Sequence, residues 1–370
     1  MKSIDTLMSR ARRLIQLYRW SVQAREESGL SVLRQLCEAA LLRLPPSRLG
    51  FSEYFDFRLF SGHLLFREKR RFVGWRGEPV LDRANAPQWH VYADDKILLD
   101  QLLTTAGLAR PRLRCVFRAA SPSADGIHRL ERDDALADWL RHCLDYPLFA
   151  KPAHAGFGHG AFLIEGYRDS DDSLLLGQGQ VVPVSAFVAG LEDPGRCGYL
   201  FQECLRPHAT LATLNCQRLS SLRVMTLKPL DGPAEIFRVV WKVPRRHNVI
   251  DNFENGSTGN LLAKVDPHTG RVLRVIQGFG LDLRELLNHP DSGLSFENLT
   301  LPDWQAMRAT TLAAAELMPG FRFQHWDIAL TDRGPVPLEV NLYGTTGLDL
   351  SQLVEQRGLL EPRLLALCKR

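Results

Sequence analysis

Apolar residues recur at three- and four-residue steps over residues 3–44, through Ile4, Leu7, Met8, Ala11, Leu14, Ile15, Leu17 and Tyr18. That spacing predicts helix, closed by Pro45-Pro46. Asp94-Asp95-Lys96 leads into I-L-L-D-Q-L-L-T-T-A, which predicts a second helical stretch with an aspartate cap and a stop at Gly107. Further helices are predicted over about 133–144 and 302–318. Elsewhere the pattern shortens to strand-length apolar runs between turn signals: L-R-C-V-F, G-Y-L-F-Q-E-C-L-R (198–206), L-S-S-L-R-V-M-T-L and E-I-F-R-V-V-W-K-V (235–243). Two hairpins complete the set, L-L-A-K-V-D with R-V-L-R-V-I, and 322–331 with 336–342 across D-R-G-P. Together they predict a mainly antiparallel sheet. Residues 49–90 are rich in aromatics but follow neither period and carry no evident chemistry.

A chain of 370 residues predicts two or three subdomains. A net charge of +4 is small for that length and argues against nucleic acid as the main partner. None of the seven cysteines forms a C-x-x-C, which suits buried thiols in a reducing compartment. With no leader-like apolar region and no run of membrane-spanning length, the expected location is cytoplasmic. Arg10, Arg12, Arg13 and Arg19 flank the apolar stripe of the first helix. They fit either peripheral contact with an acidic membrane or the solvated side of a packing helix. No pattern in the chain sets an oligomeric state.

The chemistry centres on L-F-A-K-P-A-H-A-G-F-G-H-G-A-F-L-I-E, residues 148–165. Gly156, Gly158 and Gly160 alternate between two short apolar runs, which reads as strand, glycine loop, strand. Neither a Walker loop nor a dinucleotide fingerprint matches, because no helix follows. The segment fits a hairpin lid over phosphates with Lys151 as a point charge, or a plain glycine-rich turn beside a surface lysine. Lys96, in a first helical turn, opposes the helix dipole unless an anion is near. Residues 244–260 form a polar loop, either a substrate loop or a long connection. In the last hairpin Glu339 and Asn341 share a strand face. Asp327 joins them if the connecting loop has an odd number of residues, whereas an even loop puts it opposite Val340. Such oxygen donors suit Mg²⁺ or Mn²⁺, or else a solvent-facing polar stripe; no ligand role is expected for His325.

Taken in order, Lys96, Lys151 with its glycines, Gln202-Glu203, Arg223, Asp327 and Glu339-x-Asn341 resemble the ATP-grasp superfamily, over about residues 50–355. More narrowly the chain is similar to its sugar-transfer-associated branch, related to the alpha-L-glutamate ligase-like proteins. The resemblance implies an α+β ATP-grasp fold, with two α+β subdomains clamping a nucleotide behind a helical N-terminal extension. The boundaries so implied are 1–48 for the extension, 49–118 for the pre-ATP-grasp region, 119–206 for the lid subdomain and 207–370 for the C-terminal subdomain. It implies Lys96, Lys151, Gly156, Gly158 and Gly160 at the ATP phosphates, and Gln202, Glu203 and Leu205 at the adenine. His208 would lie near the ribose or phosphates, Arg223 at the transferred phosphoryl group, and Asp327, Glu339 and Asn341 on magnesium. Asn252 is the further catalytic candidate, although Gly256-Ser257 stands where the branch usually shows paired glycines. The activity implied is an ATP- and Mg²⁺-dependent ligation of a carboxylate to an amine or thiol through an acyl phosphate, in glycan or small-metabolite synthesis. A phosphotransferase and a non-catalytic nucleotide-binding protein are the alternatives.

Overall fold

Two seven-stranded sheets line opposite sides of one cleft. The computed structural model describes residues 2–121, 126–154, 160–191, 198–341 and 348–369, with side chains from Leu14 onward and none for 348–349. The first helical stretch divides at Gly29 into α1 (Lys2–Ser28) and α2 (Val32–Leu42), with Ser31 capping α2. The aromatic-rich region holds short helices α3 (Phe51–Asp56), α4 (Phe66–Lys69) and α5 (Val91–Asp94). Helix α6 (Lys96–Thr105) follows, its Asp95 cap accepting from the Ile97 and Leu98 amides.

The first sheet contains β1 (Leu113–Phe117), β2 (His128–Leu130), β3 (Leu148–Pro152), β4 (Phe162–Arg168), β5 (Ser173–Leu176), β6 (Gln180–Pro183) and β7 (Tyr199–Glu203). Its order is β2-β1-β7-β3-β4-β5-β6. Strand β1, which lies ahead of residue 118, pairs with β7 and so belongs to this sheet. Helices α7 (Asp133–His142) and α8 (Val184–Ala189) pack on it through Leu136, Leu140 and Phe187. Strands β3 and β4 form the expected pair on either side of the glycine loop, Leu148 opposite Ile164.

After α9 (Ala209–Leu214), the second sheet holds β8 (Ser221–Leu227), β9 (Glu235–Val243), β10 (Leu261–Val265), β11 (Val272–Gln277) and β12 (Arg284–Glu285). Helix α10 (Trp304–Glu316) then precedes β13 (Phe323–Thr331) and β14 (Gly334–Asn341), and α11 (Leu348–Glu355) and α12 (Pro362–Leu367) follow. The order is β12-β11-β10-β9-β8-β13-β14, with every pairing antiparallel. Alternation divides its side chains between two faces. Trp241, Val224, Trp326 and Val340 form the apolar core on one face, together with Met307 and Ala314 of α10. Val240, Leu262 and Ile276 point to the other, where they share one apolar cluster with Leu353 and Val354 of α11, Phe55 of α3, and Ala24 and Leu42 of the extension.

Candidate active site

The second face also carries charge. Arg223, Asp327 and Glu339 stand directly opposite one another on β8, β13 and β14, a single row across three strands. The row exists because of a bulge. The turn joining β13 to β14 is Asp332-Arg333, an even count, and as far back as Ile328 opposite Pro337 the pairing would set Asp327 against Leu338. One extra residue at Leu338 shifts the register, so Asp327 meets Glu339 and His325 meets Asn341. The parity condition is therefore met by an inserted residue in the strand, not by the loop.

Asp327 is buried and bound on two sides. Arg223 donates to it through Nε at 2.5 Å and Nη2 at 3.2 Å, and Lys242 of β9 through Nζ at 3.1 Å. Burial opposes its negative charge, but the two cations prevail and hold the carboxyl below its ordinary value. Burial likewise opposes the charge on Arg223 and Lys242; Asp327 and, for Lys242, Asp251 outweigh it, and both remain cationic. Asp251 anchors the 244–260 loop to this cluster. Its carboxylate accepts from the Ser221 amide and hydroxyl, both at 2.7 Å, and lies 3.2 Å from Lys242. Nη1 of Arg223 is buried with no hydrogen-bond partner in the structure.

Across the cleft, β3 presents Lys151 and the first turn of α6 presents Lys96, two elements tied by the Lys96 amide donating to Ala153 O. Burial pulls the Lys151 ammonium down to about 8; Glu339 and Asp327 raise it, while Lys96 presses it lower. The cleft has a volume of about 230 Å³. On one side it is lined by Lys96 of α6 and by Lys151, Gln202, Glu203 and Leu205 of the first sheet and its exit, on the other by Lys242, Asp327 and Glu339 of the second sheet with Asp251 and Asn252 of the 244–260 loop. Phe149, Leu163, Val249, Ile250 and Leu338 supply apolar walls. The Glu203 and Cys204 amides donate to Arg112 O and Pro147 O, and the Glu203 carboxylate takes Arg333.

The other expected residues fall as follows. Gly160 has φ of +69°, and a Cβ there would come within 2.8 Å of the Tyr199 hydroxyl, so the loop's exit requires glycine. Gly156 and Gly158 lie outside the described residues. Asn341 stands at the end of β14 and donates through Nδ2 to Glu339 at 3.3 Å, leaving its Oδ1 for a cation. His325 is buried and neutral, held at about 3 by burial and by Arg223. His208 is not among the lining residues; it caps α9 by accepting from the Thr210 amide and faces Asp303 at 3.7 Å. Lys242 and Asp251 were not singled out from the sequence. The signal for Lys242 was a lysine inside E-I-F-R-V-V-W-K-V, a strand otherwise reading as buried.

A donor set of two carboxylates and one amide oxygen, with no sulfur or imidazole contribution, fits a hard divalent cation. Among the described residues no group of three or more His, Cys, Asp or Glu forms a protein-only metal cage. Such a cation would therefore need oxygens from a ligand as well. The profile of the family described as sugar-transfer associated ATP-grasp matches residues 79–369. The chain belongs to that family. No curated protein matches it. Among solved structures it is similar to the VanG D-Ala:D-Ser ligase of Enterococcus faecalis, at 14% identity over 77% of this chain and 64% of that one, with a TM-score of 0.39. The L-amino acid ligase of Bacillus licheniformis gives 14% over 76% and 51%, with a TM-score of 0.41. The N5-carboxyaminoimidazole ribonucleotide synthetase of Thermotoga maritima gives 11% over 70% and 44%, with a TM-score of 0.35. The chain thus spans roughly half to two thirds of the length of these relatives.

Proposed function

We propose that this ATP-grasp protein is an ATP- and Mg²⁺-dependent ligase that activates a carboxylate as an acyl phosphate and passes it to an amine, or to a thiol, in glycan or small-metabolite synthesis. The observation that carries the reading is convergence: Lys96 from α6 and Lys151 from β3 line one cleft together with Asp327 and Glu339 from the C-terminal hairpin. Phosphoryl transfer asks little of a protein beyond position and charge neutralisation, and this cleft offers both. Lys96 and Lys151 hold phosphate oxygens; Gln202 to Leu205 border the adenine. Magnesium bound at Asp327, Glu339 and Asn341 supplies neutralisation of the nucleotide's phosphate charge. Arg223, with its Nη1 uncommitted, and Lys242 stabilise charge on the transferring group, while Asn252 orients the acceptor from the 244–260 loop.

A hydroxylamine trap tests this. ATP, Mg²⁺ and a panel of carboxylates are incubated with the full chain, and hydroxamate is measured alongside ADP and phosphate. Hydroxamate formed together with ADP, and lost in Glu339→Gln, is the expected outcome. A stable phosphorylated product that resists hydroxylamine would instead make the protein a phosphotransferase.

A further inference from the structure

Helix α2 buries two polar residues and exposes leucines. Gln35 and Glu38 are buried beside Ala39 and Leu42, while Leu33, Leu36 and Leu41, and Leu44 just past the helix, face solvent. Leu33 is 74% exposed and Leu44 59%. Most of the inward polar groups are engaged within the fold, Gln35 through its amide nitrogen Nε2 while its Oε1 is left without a partner among the described residues. Gln35 donates to Ser21 O at 3.1 Å and Leu30 O at 2.8 Å, and Glu38 accepts from Lys69 at 2.6 Å and the Tyr54 hydroxyl at 2.9 Å. The inward orientation of Gln35 and Glu38 is therefore fixed by a buried network, and the leucine pairs Leu33/Leu36 and Leu41/Leu44, each three residues apart, are its outward counterpart. They do not stand alone. Leu14, Ile15 and Tyr18 of the adjoining α1 are 68%, 54% and 64% exposed. Just beyond α2 the Ser47 carbonyl accepts from the Gly74 amide, and the residue after Gly74, Trp75, is exposed with the Arg76 guanidinium over its ring at 5.1 Å.

The charge of this region identifies what covers it. Residues 1–50 contain nine lysines and arginines against four acidic residues, a surplus of five, whereas the whole chain carries +4. All of the net positive charge thus belongs to the extension, which lies wholly outside the matched family region at 79–369. A second copy meeting this face would set one basic surface against another. An anionic bilayer offers both partners the surface lacks, acyl chains for the leucines and phosphates for the arginines, and an interfacial tryptophan suits the headgroup level. Among the described residues no helix is long and apolar enough to cross a membrane, so contact would be peripheral.

We propose that the α1–α2 face docks the protein on the surface of an anionic phospholipid bilayer. The test is co-sedimentation of the full chain with phosphatidylcholine vesicles containing or lacking about one third phosphatidylglycerol. The expected result is sedimentation with the anionic vesicles only, released when salt is raised to about 0.5 M. Leu36→Gln with Leu41→Gln, and separately Arg19→Glu with Arg25→Glu, should each lower partitioning by about tenfold or more. These positions are exposed, and an unchanged melting temperature confirms that each variant folds. Three results would overturn the proposal: no binding to anionic vesicles, equal binding to neutral ones, or retention of binding by the leucine variant. Light scattering without lipid adds a fourth, since a dimer of the unmodified chain abolished by Leu36→Gln with Leu41→Gln would assign the face to a second copy.

Discussion

Lys242 and Arg223 approach Asp327 from different strands, and removing either leaves the other partners mismatched in a buried setting. Lys242→Ala takes one of two cations from Asp327 and, among the described residues, leaves Asp251 with only the Ser221 amide and hydroxyl as hydrogen-bond donors. Loss of one member of a buried ion pair costs about 3–5 kcal/mol, so this variant should melt well below the parent in denaturant titration. Lys242→Met, which fills the space but not the charge, should do no better, which separates electrostatics from packing. Glu339→Gln keeps the fold and weakens the cation site; the expected loss is the stabilisation by Mg²⁺ with ATP in a thermal shift, about 2.7 kcal/mol at a hundredfold excess over Kd. Lys151 sets a pH window. Its folded value of about 8 lies below that of an unfolded lysine, so between the two the unfolded chain binds the extra proton. This group's contribution to stability therefore rises with pH across that window, while its use to a phosphate declines. Nucleotide affinity should fall as pH passes from about 7.5 to 9.5, and Lys151→Arg should flatten that profile. The lysines at 96 and 151 each gave only a weak local signal, a cation in a first helical turn and a lysine beside a glycine loop, and stood out through the ordered resemblance that joins them to Asp327 and Glu339. Lys242 was not legible, since its meaning depends on Asp327, distant in sequence.

The 244–260 loop owes its shape to a clasp at the element scale. Arg245 is bidentate to Asp291 at 2.8 and 2.7 Å, Asp291 also takes the Arg246 amide at 2.7 Å, and Asn260 accepts from the Arg245 amide at 2.8 Å. The Arg245 hydrogen bonds hold the Asp291 carboxyl far below its usual value, with the Arg246 amide adding to them. A depressed carboxyl stabilises the fold above its unfolded pKa and loses that contribution only as pH falls through the folded one, so the clasp should survive mild acid. Asp291→Asn should open the loop to protease cleavage between residues 244 and 252 and raise the KM for nucleotide more than it lowers kcat. Strands, hairpins and the helices at α6, α7 and α10 were legible from period and caps. The bulge at Leu338 was not, because an inserted residue in a strand leaves no mark on an apolar run; nor was the turn at Gly29 that divides the first helical stretch.

For the molecule as a whole, the extension and the cleft share one sheet face. Val240, which packs under Phe55 and Leu42, is two residues from Lys242, and Phe253, beside Asn252, joins the same apolar cluster. Removing residues 1–48 would take Ala24, Ala39 and Leu42 out of that cluster and expose the apolar side chains packed against them, at about 1.5–3 kcal/mol for each large one exposed. The truncated chain should lose solubility or melt far below the parent, even though the family region begins only at residue 79. The aromatic-rich region 49–90 looked featureless because its order is tertiary: its phenylalanines pack on a sheet contributed by residues more than 150 positions later. The hairpin that ends the domain has one more consequence, for how the coding sequence can change. A two-residue turn and a one-residue bulge together set Asp327 across from Glu339. Relatives that drop Leu338 must gain a residue between Thr331 and Gly334, so length changes here should be inherited in compensating pairs or not at all.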